Sequence, residues 1–185
     1  ASKVSSGNIT LEFMNLNLNE LVQQVNGEFA ERFEGRNLDL ICILQPEPLL
    51  IRADSRRIWR VLENLYVNVC KYAMPGTRVY VDAIKKDGKI QLSIKNISEN
   101  PLNFQADELT ERFIRGDVSR STEGSGLGLS IAKNLTVLQH GSFNIYLDGD
   151  LFKVTITFDE AVKEKKPMPP MIVPKAVQEE AQQDA

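Results

Sequence analysis

Several classes of protein are excluded by what this sequence lacks. No apolar run is long enough to span a bilayer, and the amino terminus has no basic-then-apolar signal pattern. The chain is therefore expected to be cytoplasmic in character, with no direct membrane contact. A formal net charge of −3 leaves no basic excess, and the Lys and Arg residues are scattered, so nucleic acid is not an expected partner. The two cysteines, Cys42 and Cys70, lack metal-ligand spacing and lie in apolar stretches. They are expected to be buried free thiols in a reducing compartment. There is no internal repeat. The chain also starts without Met, at Ala1-Ser2-Lys3, and is read as a piece of a longer protein that could itself be membrane-bound.

What is present suits one domain with a real core and an appended tail: 42% of the residues are hydrophobic and 25% charged. Ile9, Leu11 and Phe13 alternate as in a strand that runs to Leu16. Asn17 or Asn19 then caps a helix whose Leu21, Val25, Phe29 and Phe33 recur every fourth residue up to Gly35. Short strands are expected over Leu38 to Leu44 and Leu49 to Ile51, separated by Pro46 and Pro48. Asp54 is a good cap for a second helix with a broad apolar face of Ile58, Val61, Leu62, Leu65 and Val69, stopped by Pro75-Gly76. Arg78 to Ala83 and Lys89 to Ile94 form a hairpin about Asp87-Gly88, and Phe143 to Leu147 pairs with Phe152 to Phe158 across Asp148-Gly149-Asp150. Ile97 to Glu123 is long and irregular, with one possible short helix at Ala106 to Phe113; loops of that length are usually functional or disordered. After Ala161 the composition turns to Lys, Glu, Pro and Gln and reads as a flexible tail.

The most informative segment is Glu123-Gly124-Ser125-Gly126-Leu127-Gly128-Leu129, which runs directly into Ser130-Ile131-Ala132-Lys133-Asn134-Leu135. Ile131, Leu135 and Leu138 at helical spacing start a helix near Gly128, and three alternate glycines allow backbone amides to approach a ligand closely. The unpaired N–H groups and the dipole of such a helix favour an anion at its start. Glycine runs also serve as plain loops or as dinucleotide-binding turns. The dinucleotide reading requires a buried strand immediately before the glycines, and Arg115 to Thr122 is polar without strand pattern.

In the second helix Asn64, Asn68 and Lys71 fall within roughly 60° of one another at about 100° per residue, with Arg57 and Arg60 near the same stripe. This stripe lies opposite the apolar face, where a solvated surface is the ordinary explanation. Paired asparagines are nevertheless poor helix formers, and their carbonyl oxygens suit Mg²⁺, a hard ion that completes its octahedron with water and phosphate oxygens. Lys71 could neutralise a phosphate.

Glu63 to Tyr72 resembles the N box of sensor histidine kinases, and Gly124 to Leu129 resembles their second glycine box. The resemblance covers about Ile9 to Phe158. It implies an α+β, two-layer sandwich of the Bergerat type: a mixed, mostly antiparallel sheet of about five strands covered on one face by three helices, with a mobile ATP lid. Residues 9–160 would be the ATP-binding domain, 1–8 the exit from an absent phosphoacceptor hairpin and 161–185 the tail. ATP and Mg²⁺ are the implied cofactors. By resemblance Asn68 is the Mg²⁺ ligand with Asn64 beside it, Lys71 lies near the phosphates, Tyr72 near sugar or base, and Gly124, Ser125, Gly126, Leu127, Gly128 and Leu129 line the phosphate loop. The stretch Glu111 to Asp117 looks like the family's Phe-containing box, so Arg115 is expected at the γ-phosphate, where a movable guanidinium suits phosphoryl transfer; Arg120 is a second candidate. The implied partners are the phosphoacceptor helical hairpin of the full-length protein and a cognate response regulator, with the fragment forming a cytoplasmic part of a bacterial membrane protein.

One box departs from the family pattern. Where an Asp-x-Gly-x-Gly sequence is usual, this chain reads Lys95-Asn96-Ile97-Ser98-Glu99-Asn100, so Asn96 keeps an acceptor oxygen for adenine but loses the charge and the glycines. His140, the only histidine, precedes Gly141 at the end of the last helix and is expected to be structural rather than the phosphoacceptor. Trp59 and the phenylalanines read as core or interdomain contacts. The rival readings are a serine kinase of the anti-sigma type, which shares both boxes, and a nucleotide-binding scaffold with weak catalysis.

Overall fold

A computed structural model of the protein describes residues 10–102 and 128–162. In chain order the elements are β1 (Phe13–Asn17), α1 (Leu18–Gly35), β2 (Asp39–Leu44), β3 (Leu50–Asp54), α2 (Ser55–Tyr72), β4 (Arg78–Lys86), β5 (Lys89–Ile97), α3 (Gly128–Leu138), β6 (Ser142–Asp148) and β7 (Leu151–Asp159). The main sheet has the order β2-β4-β5-β7-β6, and β1 and β3 form a separate two-stranded ribbon. Within the main sheet β2 runs parallel to β4, and the other neighbours are antiparallel. The expected α+β sandwich, with a mixed sheet of five strands and three helices, is what these residues form.

The strands are placed by their alternation. Val79, Val81 and Ala83 of β4, Ile90, Leu92 and Ile94 of β5, and Phe152, Val154, Ile156 and Phe158 of β7 are all buried and share one core with the helices. The residues between them, such as Gln91, Lys95, Lys153 and Thr157, are only half-buried on the other face. The Asp87-Gly88 turn takes φ of 53° and 72°, the positive pair that a two-residue hairpin of right-handed twist requires. Both hairpins run longer than the sequence pattern marks, because each strand keeps its ladder into polar residues at its ends.

Helix α1 buries Leu18, Val22, Val25, Phe29 and Phe33. Asn17 is its cap: Oδ1 accepts from the N–H of Asn19 at 3.2 Å and also from that of Leu49 at 3.2 Å. The first strand starts at Phe13 rather than Ile9, in register with β3, Phe13 opposite Asp54 and Asn17 opposite Leu50. The chain stays engaged past β7, where the Ala161 N–H donates to Leu50 O at 2.8 Å.

One expectation fails here. Cys70 is buried, but Cys42 is exposed, because β2 is an edge strand paired on one side only. Both are free thiols, and burial pushes the Cys70 thiol above its usual range.

Asp54 joins the ribbon to the helices. Its carboxylate caps α2, accepting from Arg56 N–H at 3.0 Å and Arg57 N–H at 3.1 Å through one oxygen, and from Glu12 N–H at 2.8 Å through the other. Its own N–H donates to Gln139 Oε1 at 2.9 Å, just past α3. The Glu12 amide, aided by those of Arg57 and Arg56 and the Arg57 charge, outweighs burial and holds this carboxyl below the usual range. A depressed folded-state pKa stabilises above the unfolded value of about 4, and that gain is lost as pH falls through the folded value. Asp54→Ala should cost about 1–2 kcal/mol at pH 7. Denaturant titrations should show the gap between wild type and variant closing below about pH 4; a pH-independent gap would deny the charge any part in it.

Candidate functional site

Helix α2 packs against both α1 and α3. Ile58, Val61, Leu62, Leu65 and Val69 are buried as their spacing predicts. The polar stripe behaves otherwise than expected, since Asn64 is only 9% exposed and Asn68 is half-buried. The reason is α3, which packs along α2 and sets its first residue against the stripe. A Cβ on Gly128 would lie 3.7 Å from Asn64 Oδ1 and 4.0 Å from the Asn64 carbonyl oxygen, so the start of α3 stands directly against Asn64 with room for no more than a methyl group. Further along α2, Lys71 and Tyr72 are exposed. Arg60 pairs with Glu63 at 2.8 Å on the helix's own surface.

Two carboxamides in this region are buried with open valences. Asn64 Nδ2 and Asn96 Oδ1 have no hydrogen-bond partner among the described residues. Asn96 is 3% exposed and alternates with Ile94 and Leu92 on the helix-facing side of β5. The end of β5 is tied to the end of α2: Ala73 bridges Ser98, Met74 N–H donates to Ile97 O at 2.8 Å, and Glu99 N–H donates to Tyr72 O at 2.8 Å. Asn96 therefore sits beside the last turn of α2, and Asn64 sits beside the start of α3. A buried polar group without a partner costs about 1–3 kcal/mol, a cost that a bound water, ion or ligand removes by completing the bond.

The chemistry here is that of buried carboxamides and one exposed ammonium, that of Lys71, beside a helix N-terminus. The first N–H groups of α3 have no partner within the helix and carry its partial positive charge. No cluster of His, Cys, Asp and Glu able to hold a metal occurs among the described residues. A cation here would be held by the carboxamide oxygen of Asn68 together with oxygens of its own ligand and water, the coordination that Mg²⁺ accepts. Asn64, Asn68, Lys71, Tyr72, Asn96, Gly128 and Leu129 are thus brought to α2, the end of β5 and the start of α3, with Leu129 buried. Arg115, Arg120, Gly124, Ser125, Gly126 and Leu127, like the possible helix at Ala106 to Phe113, lie outside the described residues.

Residues 53–162 match the family of histidine kinase-, DNA gyrase B-, and HSP90-like ATPases. The chain belongs to that family. Its curated relatives include the signal transduction histidine-protein kinase BaeS of Escherichia coli (strain K12), 31% identical over 65% of this chain and 26% of BaeS. Among solved structures, the nucleotide-free catalytic domain of histidine kinase ThkA superposes with a TM-score of 0.70 at 26% identity, covering 81% of this chain and 97% of that one. ThkA in complex with response regulator protein TrrA superposes with a TM-score of 0.66 at 25% identity, covering 84% of this chain and 44% of that one. The chain thus spans about a quarter of BaeS and nearly all of the isolated ThkA catalytic domain.

For a member of this ATPase family, the open valences of Asn64 and Asn96 fit a bound nucleotide. His140 has no place in the cleft: it takes φ of 66° beyond the end of α3 and stacks on Phe13 at 5.7 Å. Sequence reasoning missed two supporting residues. Tyr66 is buried against Phe33 and Phe29, and its hydroxyl, which burial pushes far above the phenol range, donates to Asn26 Oδ1 and fixes α2 against α1. Gln139 is 1% exposed and holds Asp54. Tyr66 lies four residues after the core residue Leu62, a spacing that could have marked it as buried; nothing local marks Gln139.

Gly128→Ala separates the site from the fold. The 3.7 Å clearance accommodates a methyl group and alanine favours helix by about 1 kcal/mol, so the melting temperature should hold or rise. The same methyl fills the space between Asn64 and the start of α3, and ATP affinity measured by calorimetry should fall about tenfold or more, a loss of about 1.4 kcal/mol. Undiminished affinity would remove Gly128 from the site.

Proposed function

We propose that this chain is the ATP-binding catalytic unit of a sensor histidine kinase, moving the γ-phosphoryl group of ATP to a histidine on a separate helical hairpin of the same full-length protein. The observation that carries the reading is the pair of buried, unpartnered carboxamides, Asn64 and Asn96, at opposite ends of one cleft headed by the α3 N-terminus. Membership of the ATPase family and the histidine kinase relatives support the nucleotide and the reaction class.

In this reading the phosphates lie toward Gly128 and Asn64, where the backbone N–H groups of α3 and the exposed Lys71 offset their charge. Asn68 supplies the protein oxygen to Mg²⁺, and Asn64 stands beside it one turn away. When bound, Mg²⁺ would neutralise part of the triphosphate charge and fix its conformation. Tyr72 lies along the sugar and base, and Asn96 faces the base. Arg115 acts at the γ-phosphate, with Arg120 as its alternate, and residues 124–127 complete the phosphate loop. The transfer breaks the bond from the γ-phosphorus to the bridging oxygen, forms a phosphorus–nitrogen bond to imidazole, releases ADP and passes the imidazole proton to solvent or a neighbouring base. The chain's partner is the hairpin, and the phosphorylated hairpin serves a response regulator, the class of protein with which ThkA forms a complex.

The reading requires a histidine supplied from outside the fragment. Incubated with labelled ATP, the chain alone should take up no phosphate, and adding the separate hairpin domain should label the hairpin. Strong labelling of His140 in the isolated chain would overturn the assignment. Asn68→Ala should weaken ATP binding about tenfold in Mg²⁺ and much less in a metal chelator, the loss of one good ligand contact of about 1–2 kcal/mol. Equal affinities under both conditions would take Asn68 out of the metal site.

A further inference from the structure

The Asn96 side chain is unusual in being both buried and unrestrained. It is 3% exposed, its Oδ1 lacks any partner, and no hydrogen bond among the described residues engages either end of its carboxamide. A carboxamide carries an acceptor and a donor, and turning it by half a revolution about its last torsion exchanges them. For most buried asparagines that rotation is blocked by the bonds already made, as it is for Asn19, whose Nδ2 donates to Gln45 O at 2.9 Å and Glu47 O at 3.0 Å. Asn96 has no such bond to lose.

Its position determines which part of a nucleotide it meets. Asn64 and the α3 N-terminus mark the anion end of the cleft, and the bridge from Ala73 to Ser98 places Asn96 at the other end, beside the last turn of α2. From Asn64 to Tyr72 the helix rises about 12 Å, close to the length of a nucleotide from γ-phosphate to base. Asn96 is therefore presented to a base edge. A 6-aminopurine offers a donor at position 6 and an acceptor at N1. A 6-oxopurine offers the reverse. One carboxamide orientation matches the first edge and the flipped orientation matches the second, each with two hydrogen bonds. A carboxylate at the same place could only accept, and would face the 6-oxo group with lone pairs opposed.

We infer that Asn96 makes this site permissive for the purine, taking 6-oxopurine nucleoside triphosphates as well as ATP. The inference rests on the nucleotide reading of the cleft and goes beyond it in naming the substrate class. ITP is the decisive probe, because it differs from ATP at position 6 and N1 without the extra 2-amino group of GTP. Binding of ATP and ITP to the full chain, measured by calorimetry, should agree within about tenfold, and Asn96→Asp should widen the ratio in favour of ATP by tenfold or more. Asn96→Ala removes both edge contacts and should weaken the two ligands equally, which decides the matter if the buried aspartate prevents folding. Wild-type preference for ATP above tenfold, a folded Asn96→Asp that leaves the ratio unchanged, or an Asn96→Ala that binds either triphosphate as tightly as wild type, would overturn the inference while leaving the nucleotide site intact. Binding of neither triphosphate would remove the underlying reading along with it.

Discussion

The arrangement of this molecule depends on one buried carboxylate. Asp54 ends β3, caps α2 and anchors Glu12 ahead of β1, while its backbone N–H is held by Gln139 beyond α3. Three stretches of chain distant in sequence, around residues 12, 54–57 and 139, meet at a single residue, and each supplies or receives a hydrogen bond that water would otherwise satisfy. The cost of burying the charge is offset by three amides and the positive end of a helix. The effect is to fix where α2 begins and, through its rigid rise, where Asn64, Asn68 and Tyr72 stand relative to the sheet. Gln139 is in turn held by the Leu135 carbonyl at 2.9 Å, so the far end of α3 is tied to the start of α2. The two helices that form the cleft thus share an anchor outside it.

A cleft anchored in this way can keep polar groups unsatisfied. The α1–α2 contact is closed by Tyr66 with Phe29, Phe33 and Asn26, and the sheet side of α2 by its aliphatic face. Neither contact yields to the local cost at Asn64 and Asn96, since rotating α2 to hydrate them would expose that apolar surface at about 25 cal/mol per Å².

Much of this was legible in the sequence where a short-range rule applies. The 3.6-residue period of α2, the Asp54 cap, the Asp87-Gly88 turn and the alternation of β5 and β7 each involve neighbours along the chain, and each matches its element. The polar stripe was visible too, but its burial was not, because solvent exposure opposite an apolar face holds only until another helix covers it. That cover comes from α3, more than fifty residues downstream of Asn68. The exposure of Cys42 has the same origin in reverse: an apolar run looks buried, yet pairing on one side alone leaves β2 at an edge. Gln139 and the β1–β3 ribbon were hidden because their partners are set by topology, with no local composition to announce them.

The use of carboxamides rather than carboxylates at Asn64, Asn68 and Asn96 suits a nucleotide. A triphosphate brings its own negative charge, so carboxylates lining the pocket would repel it, whereas carboxamides offer oxygens to a cation without adding charge. Before ligand arrives, a buried carboxamide costs far less to leave unpaired than a buried carboxylate, which would take up a proton and cease to be a ligand. Asn64 on α2 and Asn96 on β5 are the buried, unpaired carboxamides, and Asn68 offers its oxygen from a half-buried position. On the nucleotide reading proposed above, a rotatable amide at Asn96 in place of a charge gives up electrostatic insistence on one donor pattern, and fidelity to a single purine would then have to come from the shape of the surroundings.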